Sequence, residues 1–262
     1  TNIWDIVVKN PSWVEHDFKR LNKFGIIKAN LKPFTSIYNE YNVFLDESSH
    51  IEDFVVINAE KGPVYIDKHV RINAHTRIEG PVYVGQHSQI LGGKIKNSTI
   101  GPYCKIAGEV SDSVFQGFSN KAHDGFVGHS SVGRWVNIGA NTNVSNLKNN
   151  YGNVKLVYKG NPLSTNLQFL GAIIGDHVKI SIGTHINTGT IIHTGAVILD
   201  KFIEQKEVNL FSWGPSQNKI CDIEKFISTA KIVYERRQQR LSDSMQELFS
   251  FLYSKVVSNE SK

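Results

Sequence analysis

The sequence predicts a mainly β fold: a parallel β-helix of hexapeptide repeats, with a short N-terminal α segment and a C-terminal helical extension. Three observations predict it. Apolar residues recur at strict intervals of six, in the runs Ile66, Ile72, Ile78, Val84, Ile90; Phe126, Val132, Ile138, Val144; and Ile174, Ile180, Ile186, Ile192, Ile198. A small or β-branched residue tends to stand four after each, as at Val70, Thr76, Ser88, Cys104, Ser130, Val136, Thr142, Val178, Thr184 and Ala196. The flanks lack this rhythm and carry helical spacing instead.

A period of six fits neither an amphipathic helix nor one long strand. It fits a triangular prism in which each hexad is a short strand plus a corner and three hexads close a coil. The apolar residue points inward and stacks on its counterpart one coil on, about one strand spacing (~4.8 Å) away. Glycines such as Gly85, Gly133, Gly139 and Gly175 follow it at the corner. No coil buries its own apolar side, so stability comes from stacking and from covered ends.

The rhythm breaks twice. Intervals shorten to five between Ile90 and Ile106, and an interval of eight follows to Val114. Asn120 then stands where an apolar residue is due. The stretch 145–173, rich in Asn, Gly and Pro, reads as a loop or arm thrown out from the prism, where working surfaces tend to lie. Residues 1–45 hold a helix-like stretch, Trp13–Lys23, and read as a linker or the remnant of a preceding domain; 46–210 form the prism; 211–262 form a helical cap. In the cap, Ile223, Phe226, Ile227, Ala230 and Val233 have helical spacing behind Asp222 as N-cap, and Met245, Leu248, Phe249 and Leu252 mark a second helix. The chain opens on Thr1 rather than Met, as a trimmed or processed chain would.

Composition narrows the function classes. The 262 residues carry a net charge of +5 from scattered basic residues, which fits small anionic ligands and gives no basic stripe for nucleic acid. No apolar run reaches the ~18 residues of a membrane helix. Two cysteines, Cys104 and Cys221, are too few for a disulfide framework, and the expectation is a cytoplasmic protein.

From residue 120 the chain reads Lys121-Ala122-His123-Asp124-Gly125-Phe126-Val127-Gly128, then Val136-Asn137-Ile138-Gly139-Ala140-Asn141-Thr142, then Ser145-Asn146-Leu147-Lys148. These segments resemble the acetyltransferase half of the bifunctional glucosamine-1-phosphate N-acetyltransferase/N-acetylglucosamine-1-phosphate uridylyltransferase family. Ile3 to Val7, Phe211 to Gly214 and Arg236-Arg237 also recur in its branch of sugar nucleotidyltransferases with a hexapeptide tail, where a nucleotidyltransferase domain comes first. The general preference for right-handed crossovers favours the opposite hand. The resemblance implies a left-handed parallel β-helix.

It further implies acetyl transfer from acetyl-CoA to the amine of an amino-sugar phosphate, without a metal. By resemblance His123 is the catalytic base; Lys121, Phe126, Asn137, Asn146 and Lys148 bind the sugar phosphate; Ala140, Ile182 and Thr184 serve the acetyl-CoA and oxyanion site. An imidazole with an ordinary pKa near ~6.5 suits removal of the amine proton at neutral pH. Phe126 stands in place of the family's tyrosine, and the upstream lysine and arginine have no clear equivalents, with Lys94 and Ser111 near that register. Each residue also has a plainer reading. His123 would be an outward rung residue like His69, His75, His87, His129 and His177; Asn137 a corner residue; Phe126 core filling; Asn146 and Lys148 loop.

Two rival readings stand beside this one. The prism serves only to trimerise or regulate a nucleotidyltransferase, or His69 and His87, stacked one coil apart, share a zinc as in β-helical carbonic anhydrases. Prisms of this family pack as trimers, so a homotrimer is expected.

Overall fold

The computed structural model describes residues 2–214, 216 and 219–260; Thr1 and the last two residues of the expected 211–262 cap lie outside them. It is a left-handed parallel β-helix of about 11 turns. Its three faces are parallel sheets of ten, ten and nine strands among the described residues, the second ending in one antiparallel strand. In chain order each coil visits face 1 (for example Val82–Val84), face 2 (Gln89–Ile90) and face 3 (Gly93–Lys96). The first coil already forms from Ile26–Ile27, Ser36–Tyr38 and Val43–Leu45, so the solenoid begins inside the segment expected to be a linker.

One buried column per face makes the core. Ile51, Ile72, Ile90 and Ile106 stack along face 2, all buried. The residues expected to turn the corners are buried too, and their hydroxyls replace missing backbone partners. Ser88 Oγ donates to Gly101 O (2.8 Å) and accepts from Cys104 N–H (2.9 Å). Ser113 and Ser130 accept from the coil above in the same way, which pairs the amides of Ser130 and Ala172.

The coils are not uniform. Ile72 to Ile90 is a step of 18 residues, Ile90 to Ile106 one of 16, and Ile106 to Lys121 one of 15. The apparent gap of eight after Ile106 closes because Val110 and Phe115 are the inward residues.

The corner between faces 1 and 2 carries a ladder of rings. His69, His87, Tyr103, Phe118 and Trp135 stack at 4.8, 4.7, 4.9 and 4.3 Å. Each takes a positive φ, the turn the corner demands. His177 continues the ladder at 6.3 Å from Trp135.

Helices cover what the prism leaves open. Helix α1 (Asp5–Val8) leads into α2 (Asn10–Leu21), which lies on face 1, with Phe18 against Tyr65 and Asn10 accepting from Thr99 Oγ1 (2.6 Å). The 145–173 insertion folds back as a hairpin, Lys155–Tyr158 with Asn161–Ser164, rather than projecting as a loop. Its Val154 and Leu156 pack with Leu170, Ile191 and Trp4. Helix α3 (Ile223–Glu235) starts where expected, with Asp222 Oδ1 accepting from Lys225 N–H (2.9 Å). It pairs with α4 (Asp243–Glu260) through Ala230, Leu241 and Phe249. The pair closes over the ring ladder: Tyr234 stacks on Trp135 at 3.9 Å, and Phe226 and Phe249 present edges to His177.

His177 is 3% exposed. Burial, with Lys179 beside it, lowers its pKa from 6.5 to about 3. Its neutral form is the one the helices cover, so this stability is intact above the unfolded value and declines as pH falls from 6.5 toward 3. Protection factors of the α3 and α4 amides against hydrogen exchange should therefore fall across that acid window in the parent, and His177→Phe should move the loss to lower pH. An unchanged profile in the variant would show that His177 does not set it.

Candidate functional site

The shortened coils decide which residues face outward in the motif region. Strand Asn120–Lys121 pairs Lys121 with Ile106, so Lys121 is the inward residue and Asn120 points out. Lys121 is 1% exposed, within the prism. Its Nζ donates to Ala107 O (2.9 Å) and His123 O (2.7 Å). This corrects its expected role as a substrate ligand: the amine is committed to carbonyls and holds the corner that carries His123. Burial lowers its pKa to about 8, opposed by Asp124. The register also corrects the inward position that the hexad count gave Phe126. Val127 is the buried residue of Gly125–Gly128, and Phe126 faces outward beside Asn143.

His123 is exposed on the corner between faces 2 and 3. Unlike His69, His75, His87, His129 and His177 it has no positive φ, so its equivalence to that series fails. The turn's unusual backbone falls on Gly125 (φ 124°), where a Cβ would lie 2.2 Å from Thr142 O. Asn141 N–H donates to Asp124 O (2.8 Å), which sets the 122–125 corner on the 139–142 corner. Asn120 pairs with Asn137, and Asn137 with Lys179. By that register His123, Ala140 and Ile182 occupy one column along the edge, on successive rungs ~4.8 Å apart. Ala140 O accepts from Gly183 N–H (2.7 Å), while the Ala140 N–H donates to no described residue. Ile182 is 64% exposed. Thr184 leaves the expected set, because it is buried and its hydroxyl donates to Ser181 O and Asp200 O at 3.0 Å each.

Face 3 holds the second group. Its outward column runs Lys94, Glu109, Phe126, Asn143, His185. Phe126 N–H donates to Asn143 Oδ1 (3.0 Å). Asn146 meets the Phe126 ring across Gly128, where a Cβ would lie 2.5 Å from the ring and 2.6 Å from Asn146 Nδ2. The same amide lies 2.9 Å from His129 Nδ1. With the amide donating, the ring proton sits on Nε2, 3.9 Å from Asp112 Oδ2. Burial holds the His129 pKa below its usual value; Asp112 opposes this and Lys96 adds to it. An oriented, neutral imidazole thus stands beside Asn146, a group the sequence reading passed over as one corner histidine among several. Its signal was Asp112, one coil earlier at the same corner. Lys148 sits at the root of the arm, its Nζ 3.5 Å from Asn153 O.

Asn137 lies on face 2, within the strand Asn137–Ile138 rather than at a corner. It is exposed between Asn120 and Lys179. Within one chain the motif residues therefore divide around a single edge: His123, Ala140 and Ile182 on it, Phe126 and Asn146 to one side, Asn137 to the other. His69 and His87 do stack one coil apart, but their rings lie face to face in the ladder. Among the described residues no three His, Cys, Asp or Glu side chains gather as a metal group would.

No family profile matches the chain. A bifunctional sugar-1-phosphate nucleotidylyltransferase/acetyltransferase of Sulfurisphaera tokodaii is 36% identical over 170 residues, covering 60% of this chain and 41% of that protein. Over that stretch the chain is similar to a bifunctional nucleotidylyltransferase/acetyltransferase. Two proteins of Methanococcus maripaludis, strains S2 and C5, each named bifunctional protein GlmU, are 32% identical over 117 residues, covering 43% of this chain and 27% of each relative. The chain thus spans less than half the length of these bifunctional relatives.

Lys121 gives this site a pH signature. Its folded pKa of about 8 lies below the ordinary 10.5, so the buried charge costs stability below pH 8 and the cost is relieved as pH rises toward 10.5. Lys121→Met removes the cost at every pH. The stability difference, variant minus parent, should shrink by up to about 3 kcal/mol across that window in chemical denaturation. A constant difference would contradict a charged, desolvated Lys121.

Proposed function

We propose that this β-helix is an acetyl-CoA-dependent N-acetyltransferase acting on an amino-sugar phosphate of the glucosamine 1-phosphate kind, in sugar-nucleotide biosynthesis in the cytoplasm. The observation that carries the reading is the edge column: an exposed imidazole, His123, one rung from an unengaged backbone N–H, that of Ala140. Acyl transfer to an amine needs both. His123 accepts the proton that the amine loses on attacking the thioester carbonyl, and the Ala140 N–H stabilises the oxyanion that forms there. The tetrahedral intermediate then expels the thiolate, which takes up a proton and leaves as thiol, with an amide as product. Acetyl-CoA supplies the activated acyl group. Ile182, next on the same edge, offers apolar surface to the donor.

Asn137 and Asn146 flank the edge from its two faces, where they hold sugar hydroxyl and acetyl groups. The relatives named above carry both nucleotidylyltransferase and acetyltransferase in their names, which supports the acetyl-transfer reading for the part they share with this chain. We propose a homotrimer with the donor lying between neighbouring prisms, since one prism alone leaves the edge open to water.

A second reading has support of its own. Lys121 is turned inward and Phe126 has no hydroxyl, so two of the expected phosphate contacts are absent. On that reading the β-helix is a non-catalytic trimerising or regulatory part of a nucleotidyltransferase. Acetyl-CoA consumption with glucosamine 1-phosphate and related amino-sugar phosphates separates the two. The parent should turn over, and His123→Ala should lose roughly 10²-fold or more in kcat with its fold intact. No turnover with any of these acceptors would favour the non-catalytic reading. Loss in His129→Ala with His123→Ala unaffected would move the base to face 3.

A further inference from the structure

Face 2 and helix α3 enclose a cleft that shares Asn137 with the proposed acetyl-transfer site and otherwise lies outside it. Its cavity of about 260 Å³ is lined by Asn120, Asn137, Lys179, Arg236 and Arg237 over the rings of Phe118 and Trp135. Lys179 is the outward residue of its strand, one rung beyond Asn137, and its Nζ donates to Trp135 O (2.7 Å). Arg237 reaches from the end of α3 to donate to Asn120 Oδ1 (2.8 Å). Arg236 makes no side-chain hydrogen bond or ion pair among the described residues.

The charge here is unbalanced. None of the three cations pairs with a carboxylate among the described residues, and no carboxylate of theirs lines the cleft. Burial lowers the pKa of Lys179 to about 8 and depresses that of Arg237 as well, so the cations are partly stripped of water without a counter-charge. Desolvated like charges repel, and a fold that gathers them gains when an anion fills the space between them. Two guanidinium forks, an ammonium and two amides provide donors from several directions, which suits a tetrahedral dianion better than a planar carboxylate. A second cavity, of about 600 Å³ and lined by Val197, Trp213, Ile220 and Phe226 with Asp222 and Lys225, shares Lys179 with the cleft. It offers apolar room for the rest of a ligand.

We propose that this cleft is a phosphate-binding site formed by Lys179, Arg236 and Arg237 with the amides of Asn120 and Asn137, and that it holds the phosphate of a small phosphorylated molecule whose uncharged part runs beneath α3. The proposal does not depend on acetyl transfer. A sugar phosphate and a nucleotide cofactor carry the same anion, and competition tells them apart.

Inorganic phosphate and pyrophosphate, titrated into the full chain, should bind saturably by calorimetry and perturb the fluorescence of Trp135 in the cleft wall. Arg236→Gln should weaken this about tenfold or more. Because that side chain is exposed and makes no hydrogen bond or ion pair among the described residues, the variant should fold as the parent does, with an unchanged circular dichroism spectrum. Arg237→Lys should bind better than Arg237→Gln. Displacement of pyrophosphate by glucosamine 1-phosphate would identify a sugar phosphate as the source, and displacement by CoA a nucleotide phosphate; either supports the site. Absence of saturable binding by the parent, or equal affinity in the parent and both glutamine variants, would overturn it.

Discussion

One inward side chain per strand must fall on the one below it, and the rest of this molecule follows from that constraint. A coil stacks only if its three inward residues land on the previous three, whatever the number of residues spent between them. The protein meets this with steps of 18 residues at one end and 16 and 15 where the motif begins. Each lost residue comes from a corner and changes which neighbour points outward. The shortened coils thus decide that Lys121 closes the interior while Asn120 and Phe126 face outward. A lysine in an apolar prism is costly unless every proton finds an acceptor, and two of its three do, at Ala107 and His123. The core of the prism and the corner on which His123 stands are joined through one amine.

The regular coils were fully legible. Where hexads are strict, as from Ile174 to Ile198, the inward residues in the structure are those of the sequence rhythm. The terminal helices were legible from spacing and from the Asp222 cap. The irregular coils were not, for a physical reason. A side of four or five residues leaves the same apolar mark as one of six, so a running count slips by one, and a slip of one exchanges inside for outside. Lysine is among the residues least expected inside, which steered the count to Asn120 and carried the error on to Phe126. The docking of the hairpin and of α3 was out of reach as well, because the partner surfaces, around Ile191 and Trp135, lie far away in sequence.

Of the candidate site, the residues that the register brings together lie on the edge. His123, Ala140 and Ile182 were singled out from separate stretches, and the register sets them in one column. Asn137 and Asn146 flank that column on different faces, an arrangement that suits a substrate gripped around a prism edge. The cations moved most. Those expected near the motif are buried or peripheral, whereas uncompensated positive charge collects beneath α3, from a rung lysine and two arginines more than fifty residues further along the chain. The C-terminal helices therefore do more than cover an end. They bring two arginines to a face whose outward column already carries Arg71, Lys105 and Lys179.

The register through the short coils is the claim on which the rest stands, and cysteine labelling tests it directly. The two native cysteines are buried, so single introduced thiols can be read above a low background. Phe126→Cys and Asn137→Cys should react with a water-soluble maleimide at rates near those of the unfolded chain. Val127→Cys and Ile138→Cys, one residue on, should be protected until the protein unfolds. Reaction of Val127→Cys as fast as Phe126→Cys, in protein that remains folded, would place the strand one residue out of register and contradict the account.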